Sequence, residues 1–140
     1  MKSRYIKSIC PLMISIIAIF VSFPLNAQSK AVKPKPCFVQ LCDTITDYQR
    51  VLGGPPQTVS MHSGLVVLSP TKSVGKHSTD NYEEAVIVLA GSGEMRITGG
   101  ETFKLKANSV AYCPPRTEHD VVNTGSQPLR YLYIVAKESR

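Results

Sequence analysis

Histidine side chains are the first candidates for chemistry in this sequence, because only His62, His77 and His119 occur. An imidazole can bind a metal ion or transfer a proton near neutral pH. A carboxylate such as Glu84 could act beside them as a ligand or a proton acceptor. Side chains two positions apart on an extended strand face the same side. The sets that share a side are His77 with Thr79, Glu84 with Val86 and Val88, and His119 with Val121 and Asn123.

Residues 74–93 resemble the first of the two motifs that characterise the cupin superfamily. That motif has a Gly, then His-x-His, a Glu and a closing Gly. In this sequence His77 matches the first His, Glu84 matches the Glu and Gly91 matches the closing Gly.

Residues 108–123 resemble the second cupin motif, in which Pro114, His119 and Asn123 match in register. With their flanking strands the two motifs run from about residue 65 to residue 135. The chain is therefore identified as a member of the cupin superfamily, as a small single-domain protein similar to type-2 cupins. The resemblance implies an all-β double-stranded β-helix, or jelly-roll barrel.

The sequence departs from the two motifs at four positions. Thr79 stands in the place of the second His, and Thr71, Asn108 and Arg116 stand where the family has Gly. Asn tolerates the left-handed conformation that Gly supplies. Arg116 implies that the turn before His119 either differs or is strained.

The resemblance implies that His77, Glu84 and His119 converge inside the barrel and bind a divalent metal ion. Two imidazoles and one carboxylate make the ligand set of non-haem Fe(II) sites, and they also suit Mn, Zn, Ni or Co. Thr79 is a weak ligand, so water or substrate would take its place. Alternatively, metal binding was lost with the second His, and Glu84 pairs with a neighbour such as Arg116 in a metal-free polar cavity.

Four residues are candidates for lining the ligand cavity beside these three. They are Thr79, His62, Asn123 and Arg116.

The first 27 residues have the pattern of a secretory signal peptide. Residues 1–7 are basic, residues 9–23 are mostly apolar, and Ala27 follows Pro24. The apolar run is shorter than the roughly 20 residues of a membrane-spanning helix. We expect cleavage after Ala27, a secreted or periplasmic protein, and no stable membrane association afterwards. Residues 28–36 then form a linker to a cupin domain over 37–140, with its barrel core at about 64–136.

The net charge of +6 comes from the N-terminal part of the chain. Six of the 16 basic residues precede Cys37, which leaves ten against the ten acidic residues that follow. A nucleic-acid-binding domain needs a basic face. The neutral body therefore disfavours that class and favours a small-molecule ligand.

Three cysteines follow the predicted signal peptide. In an oxidising compartment Cys37 and Cys42 could form a disulfide. Cys113 would then remain a free, buried thiol.

Short apolar or alternating runs between Gly and Pro residues predict an all-β domain. The predicted strands cover residues 38–42, 58–63, 65–69, 84–89, 94–98, 102–106, 110–113, 120–123 and 129–136. Residues 44–52 have the one weak helical pattern. The runs at 85–90 and 131–135 are apolar on both faces, which indicates burial between two layers or against a second subunit. A homodimer would explain the second buried face.

Two classes of function fit these residues. One is a metal-dependent enzyme of the dioxygenase, isomerase or lyase type, with Asp80, Tyr82 or Glu83 as a proton-transfer group at the rim. The other is a non-catalytic, metal-free module that binds a sugar or a small acid. The sequence leaves both open.

Overall fold

The computed structural model describes residues 33–138, which form eight strands and no helix. The strands are β1 (Tyr48–Gly53), β2 (His62–Leu68), β3 (Tyr82–Ala90), β4 (Ser92–Ile97), β5 (Thr102–Lys106), β6 (Val110–Cys113), β7 (His119–Val122) and β8 (Leu129–Lys137). They pair antiparallel in a five-stranded sheet of order β1-β2-β8-β3-β6 and a three-stranded sheet of order β5-β4-β7. The predicted all-β double-stranded β-helix is confirmed.

The predicted signal peptide and most of the predicted linker lie outside the described residues. Within residues 33–138, no helix has the length and hydropathy that crossing a membrane would require.

Side chains from both sheets meet in one hydrophobic core. Val86 and Val88 of β3 lie against Met95 of β4 and Val121 of β7, and all four are at most 1% exposed. Burying a side chain of this size stabilises the fold by about 1.5 to 3 kcal/mol. Because strand residues alternate, the same face of β3 carries Glu84 inward, where it is 6% exposed.

The weak helical pattern at residues 44–52 does not correspond to a helix, because β1 begins at Tyr48 and pairs with β2. The ladder has a bulge between Arg50 and Leu52. A bulge adds one residue to a strand and shifts its alternation. Ile45, Tyr48 and Leu52 are spaced three and four positions apart, as in a helix, but only residues from Tyr48 onward join the ladder.

The predicted strand at 38–42 is also wrong, because this segment has no partner strand. Its polar backbone groups bond to side chains instead. The side chain of Gln49 donates through Nε2 to the backbone carbonyl of Gln40 at 3.0 Å, and its Oε1 atom accepts from the backbone N–H of Cys42 at 2.8 Å. Arg130 donates to the backbone carbonyl of Cys42 at 2.9 Å. The segment crosses the outside of the five-stranded sheet without joining it.

The predicted break between residues 63 and 65 does not occur, and residues 58–60 form a bend and residue 61 is irregular, so that none of these four residues is in a strand. Strand β2 runs through Gly64 without interruption. A Cβ atom at Gly64 would lie 2.5 Å from the Tyr48 ring and 2.8 Å from the Tyr133 ring. Gly64 therefore leaves space for two aromatic rings across the sheet.

The predicted Cys37–Cys42 disulfide is absent from the structure, in which both thiols are exposed and free. Each has its own polar partner: Gln57 donates to the Cys37 sulfur at 3.8 Å, and the Cys42 sulfur lies 3.4 Å from the Thr44 hydroxyl. Cys113 is free and fully buried, as predicted.

The backbone keeps the left-handed turns of the cupin motifs although the glycines are replaced. The φ angles are +69° at Thr71, +64° at Asn108 and +59° at Arg116. A non-glycine residue is uncommon in this region, and a β-branched one such as Thr71 is rarest, because the side chain crowds the backbone. The turn before His119 is therefore retained and strained, rather than different.

Replacing Thr71 with Gly should stabilise the protein by about 0.5 to 1 kcal/mol, because relief of the left-handed strain exceeds the entropy cost of Gly. Thr71 is exposed, and the bond from its amide to the Asn123 carbonyl survives the change. Chemical denaturation measures the difference. Thr102→Gly on the exposed start of β5 is the matched control and should destabilise. Equal losses in both variants would contradict the strain at Thr71.

Candidate metal centre

His77 and His119 are cross-strand neighbours. The amide of each donates to the carbonyl of the other at 2.9 Å, which holds residue 77 against β7. The two rings therefore project from the same face, with centroids 4.5 Å apart. His119 is fully buried and His77 is half-buried.

Both imidazoles are oriented by backbone carbonyls two residues upstream. His77 Nδ1 lies 2.9 Å from the Gly75 oxygen, and His119 Nδ1 lies 3.0 Å from the Thr117 oxygen. A carbonyl can only accept, so each Nδ1 carries the proton. Each neutral ring then presents a lone pair at Nε2, which is the form that binds a metal ion.

Glu84 reaches this pair from the opposite sheet. Its Oε2 atom lies 3.0 Å from His119 Nε2. With Nδ1 already protonated, Nε2 and the carboxylate are both acceptors. A positive species must therefore lie between them, either a second proton on His119 or a metal ion.

In the metal-free protein a proton lies between His119 Nε2 and the Glu84 carboxylate. Burial lowers the pKa of His119, but the hydrogen bonds to Glu84 and to the Thr117 carbonyl, with the charges of Glu84 and Asp120, outweigh it. The net effect is a raised pKa for His119.

The three side chains are close enough to share a metal ion. One ligand atom from each of His77, Glu84 and His119 lies within 4.8 Å of the other two. Ligand atoms bound to one ion at about 2.1 Å lie about 3 to 4.2 Å apart, so a small inward shift of the side chains would give the spacing of an occupied site. The donor types suit a divalent transition metal.

The group opens into a cavity of about 530 Å³ between the two sheets. His77, Glu84 and Thr79 line its polar part. The remaining walls combine apolar and tyrosine side chains with two further polar residues: Val66, Leu68, Val74, Val121, Val135, Tyr48, Tyr131, Tyr133, Asp47 and Ser73. This volume is typical of small-molecule sites.

Of the four cavity candidates from the sequence, only Thr79 lines the cavity. Asn123 is buried, but its amide donates to the Leu68 and Gln127 carbonyls and so fixes two loops. His62 packs against the Tyr82 ring and over Gly54. Arg116 pairs with Glu138 at the surface, so the predicted Arg116–Glu84 pair is wrong.

The predicted proton-transfer groups do not reach the cavity either. Asp80 is exposed with a φ of +52°, Tyr82 contacts His62, and Glu83 accepts a hydrogen bond from Tyr112 at 3.1 Å.

Sequence reasoning missed the residues that hold the two rings and line the cavity wall. Asp120 accepts from the Gly75 amide at 2.9 Å, and the Cys113 sulfur lies 3.2 Å from His119 Nδ1. Alternation along β8 could have identified Tyr131 and Tyr133, since Leu129 shares their face. The contact of Cys113 depends on tertiary register and has no signal in the sequence.

Comparison with known proteins identifies a relative in sequence and several in fold. A curated relative, an uncharacterised protein of Methanocaldococcus jannaschii, is 33% identical over 73 residues. The alignment covers 52% of this chain and 56% of the relative, so the chain spans little more than half of that protein.

Solved structures show the same fold. A protein of Bacillus halodurans has a TM-score of 0.64 at 19% identity, covering 76% of this chain and 85% of its own. A Cupin 2 conserved barrel domain protein of Salinispora arenicola has a TM-score of 0.60 at 22% identity, covering 74% of this chain and 91% of its own. Residues 64–135 match the Cupin 2 family, described as the cupin domain. With both motifs, the barrel and this match in agreement, the chain belongs to the cupin family.

Proposed function

We propose that this protein binds a divalent metal ion through His77, Glu84 and His119, and a small organic ligand in the adjoining cavity. The observation that carries the proposal is the fixed orientation of both imidazoles, which places two Nε2 lone pairs beside a buried carboxylate. The ligand set suits Fe(II), Mn, Zn, Ni or Co. With such an ion the protein would function as a metal-dependent enzyme of the dioxygenase, isomerase or lyase type.

A bound ion would supply Lewis-acid or dioxygen chemistry, and the protein would orient the ligand beside it. Thr79 donates its hydroxyl proton to the Tyr82 carbonyl at 2.7 Å, so its oxygen remains an acceptor on the cavity wall. Val66, Val121 and Val135 supply apolar wall for the ligand to pack against.

Metal stoichiometry tests the proposal. The full chain, purified without tag histidines or chelators, is titrated with each of the five metals at pH 8, with Fe(II) kept anaerobic. We expect one equivalent of bound metal. His62→Ala removes an imidazole outside the cavity and should retain that equivalent. Absence of stoichiometric binding for all five metals would refute the metal site.

The stability of the metal-free protein should fall as pH rises above the ordinary pKa of imidazole, about 6.5. The raised pKa of His119 means that its proton contributes stability that is fully present below about pH 6.5 and is lost above the folded-state pKa. A bound metal replaces that proton, so the metal-loaded protein should show the opposite trend over the same range. Denaturation at several pH values, with EDTA or with metal, measures both curves. A metal-free protein that gains stability with pH would contradict the His119–Glu84 pair.

A metal-free binding module is the second candidate. The direct His119–Glu84 contact favours it, because within residues 33–138 no buried side-chain polar atom lacks a hydrogen-bond partner. On this alternative the same cavity binds its ligand without an ion. The titration above distinguishes the two candidates.

Export and homodimer formation also remain proposals. The outward face of β3, β6 and β8 is apolar, and Leu89, Val110 and Tyr112 on it are 38%, 68% and 55% exposed. Sedimentation should therefore show a dimer, and Val110→Glu should shift it towards monomer, with Thr102→Glu as the control. A monomeric wild-type protein would exclude the homodimer.

Intact mass of the exported protein tests removal of residues 1–27.

A further inference from the structure

The cavity wall opposite the imidazoles contains a tyrosine hydroxyl that has no protein partner and is open to the cavity. Tyr131 is 3% exposed and lines the cavity. Within residues 33–138 no group forms a hydrogen bond with its hydroxyl. Since no fully buried side-chain polar atom in this range lacks a partner, the Tyr131 hydroxyl must be accessible from the cavity. A ligand in the cavity could therefore form a hydrogen bond with it in place of water.

Two further tyrosines extend this wall towards the surface. The Tyr48 and Tyr133 hydroxyls lie 3.1 Å apart, and Gly64 leaves the space that both rings occupy. Tyr48 is 47% exposed, so the pair lies at the open end of the cavity. The wall is therefore aromatic, with hydroxyl groups both at depth and at the entrance.

The charges around the cavity are acidic or paired. Asp47 lies at the exposed end, and Glu84 is engaged with His119. No Lys or Arg among the described residues lines the cavity. Burial raises the pKa of Tyr131, with a further contribution from Glu84, so its hydroxyl stays protonated at ordinary pH. A carboxylate ligand would enter without a counter-charge from the protein, which is costly.

We propose that the cavity takes an uncharged, ring-containing ligand whose hydroxyl or carbonyl hydrogen-bonds to Tyr131, and that without a bound metal ion it discriminates against carboxylates. This inference rests on the proposed function in that the ligand occupies the same cavity. It replaces the sugar or small acid of the sequence-based hypothesis with an uncharged compound of benzyl-alcohol type.

Two probes of similar size test the proposal in the metal-free full chain: benzyl alcohol and benzoate, titrated in EDTA at pH 8 and followed by NMR. We expect benzoate to bind at least about tenfold more weakly than benzyl alcohol, because its charge has no counter-charge in the cavity. A factor of ten in affinity corresponds to about 1.4 kcal/mol. Equal or tighter binding of benzoate would overturn the proposal.

Tyr131→Phe removes only the hydroxyl and should weaken benzyl alcohol about two- to tenfold, the effect of one lost hydrogen bond. Tyr112→Phe is the matched control: its hydroxyl bonds to Glu83 outside the cavity, so benzyl alcohol affinity should not change. An unchanged affinity in Tyr131→Phe would overturn the assignment of Tyr131.

Metal stoichiometry of the same preparations keeps the two proposals separate. A protein that binds metal but neither probe would overturn this inference and leave the metal site intact. A protein without metal that still prefers benzyl alcohol would support this inference and refute the metal-dependent function.

Discussion

Replacing His119 with Ala should abolish stoichiometric metal binding. His119 supplies one of two imidazoles, and its Nε2 atom lies 3.0 Å from the Glu84 carboxylate. The remaining His77 and Glu84 would compete poorly with water for a divalent ion. We expect a loss of affinity of at least about a hundredfold, or about 2.7 kcal/mol. Isothermal titration with the metal that the parent binds measures it.

The buried position of His119 requires a second variant, because truncation leaves a cavity and an unpaired carboxylate. Glu84→Gln retains the shape of the side chain and removes its charge, so it should also lose the metal while the barrel remains folded. His62→Ala serves as the control. Retention of a full equivalent of metal by Glu84→Gln and His119→Ala would show that the ion binds elsewhere.

Replacing Thr79 with His should have the opposite effect and tighten metal binding about 10- to 100-fold. Thr79 lines the cavity on the side from which His77 projects, and in the cupin motif a His stands at this position. A neutral imidazole there would complete a set of four ligands. The loss of the hydrogen bond to the Tyr82 carbonyl makes the variant less stable without metal, by about 1 kcal/mol.

Thr102→His adds an imidazole on an exposed strand and should leave metal affinity unchanged. If Thr79→His binds metal and the parent does not, the barrel geometry is suited to an ion but the natural function is metal-free. Absence of binding in both proteins would contradict the convergence of His77, Glu84 and His119 on one ion.

Strand alternation and motif spacing were sufficient to predict the inward-facing residues. The predictions that Val86, Val88 and Val121 share a face with Glu84 or His119 require only local geometry, and all three are buried. Strands 102–106 and 110–113 were predicted at their observed bounds. Local alternation was reliable where a ladder is regular.

Predictions failed where the outcome depended on residues distant in the sequence. Residues 44–52 have a helical spacing of apolar residues, and it is pairing with the distant strand β2 that makes residues from Tyr48 onward a strand. The segment at 38–42 bonds to Gln49 and Arg130, and the partner of Arg116 is Glu138 near the end of the described chain. Tyr131, Tyr133 and Asp47 meet in one cavity only after two sheets have packed.

The three proposed metal ligands come from both sheets of the barrel: the imidazoles of His77 and His119 lie on the β7 side, and the carboxylate of Glu84 lies on β3. An ion bound there would cross-link the layers, and it would stabilise the folded state by mass action. Residues 73–77 contact β7 through isolated bridges rather than a full ladder, so they should open locally before the sheets separate. Amide hydrogen exchange at His77 and His119 should then slow on metal binding, while exchange between β4 and β5 changes little.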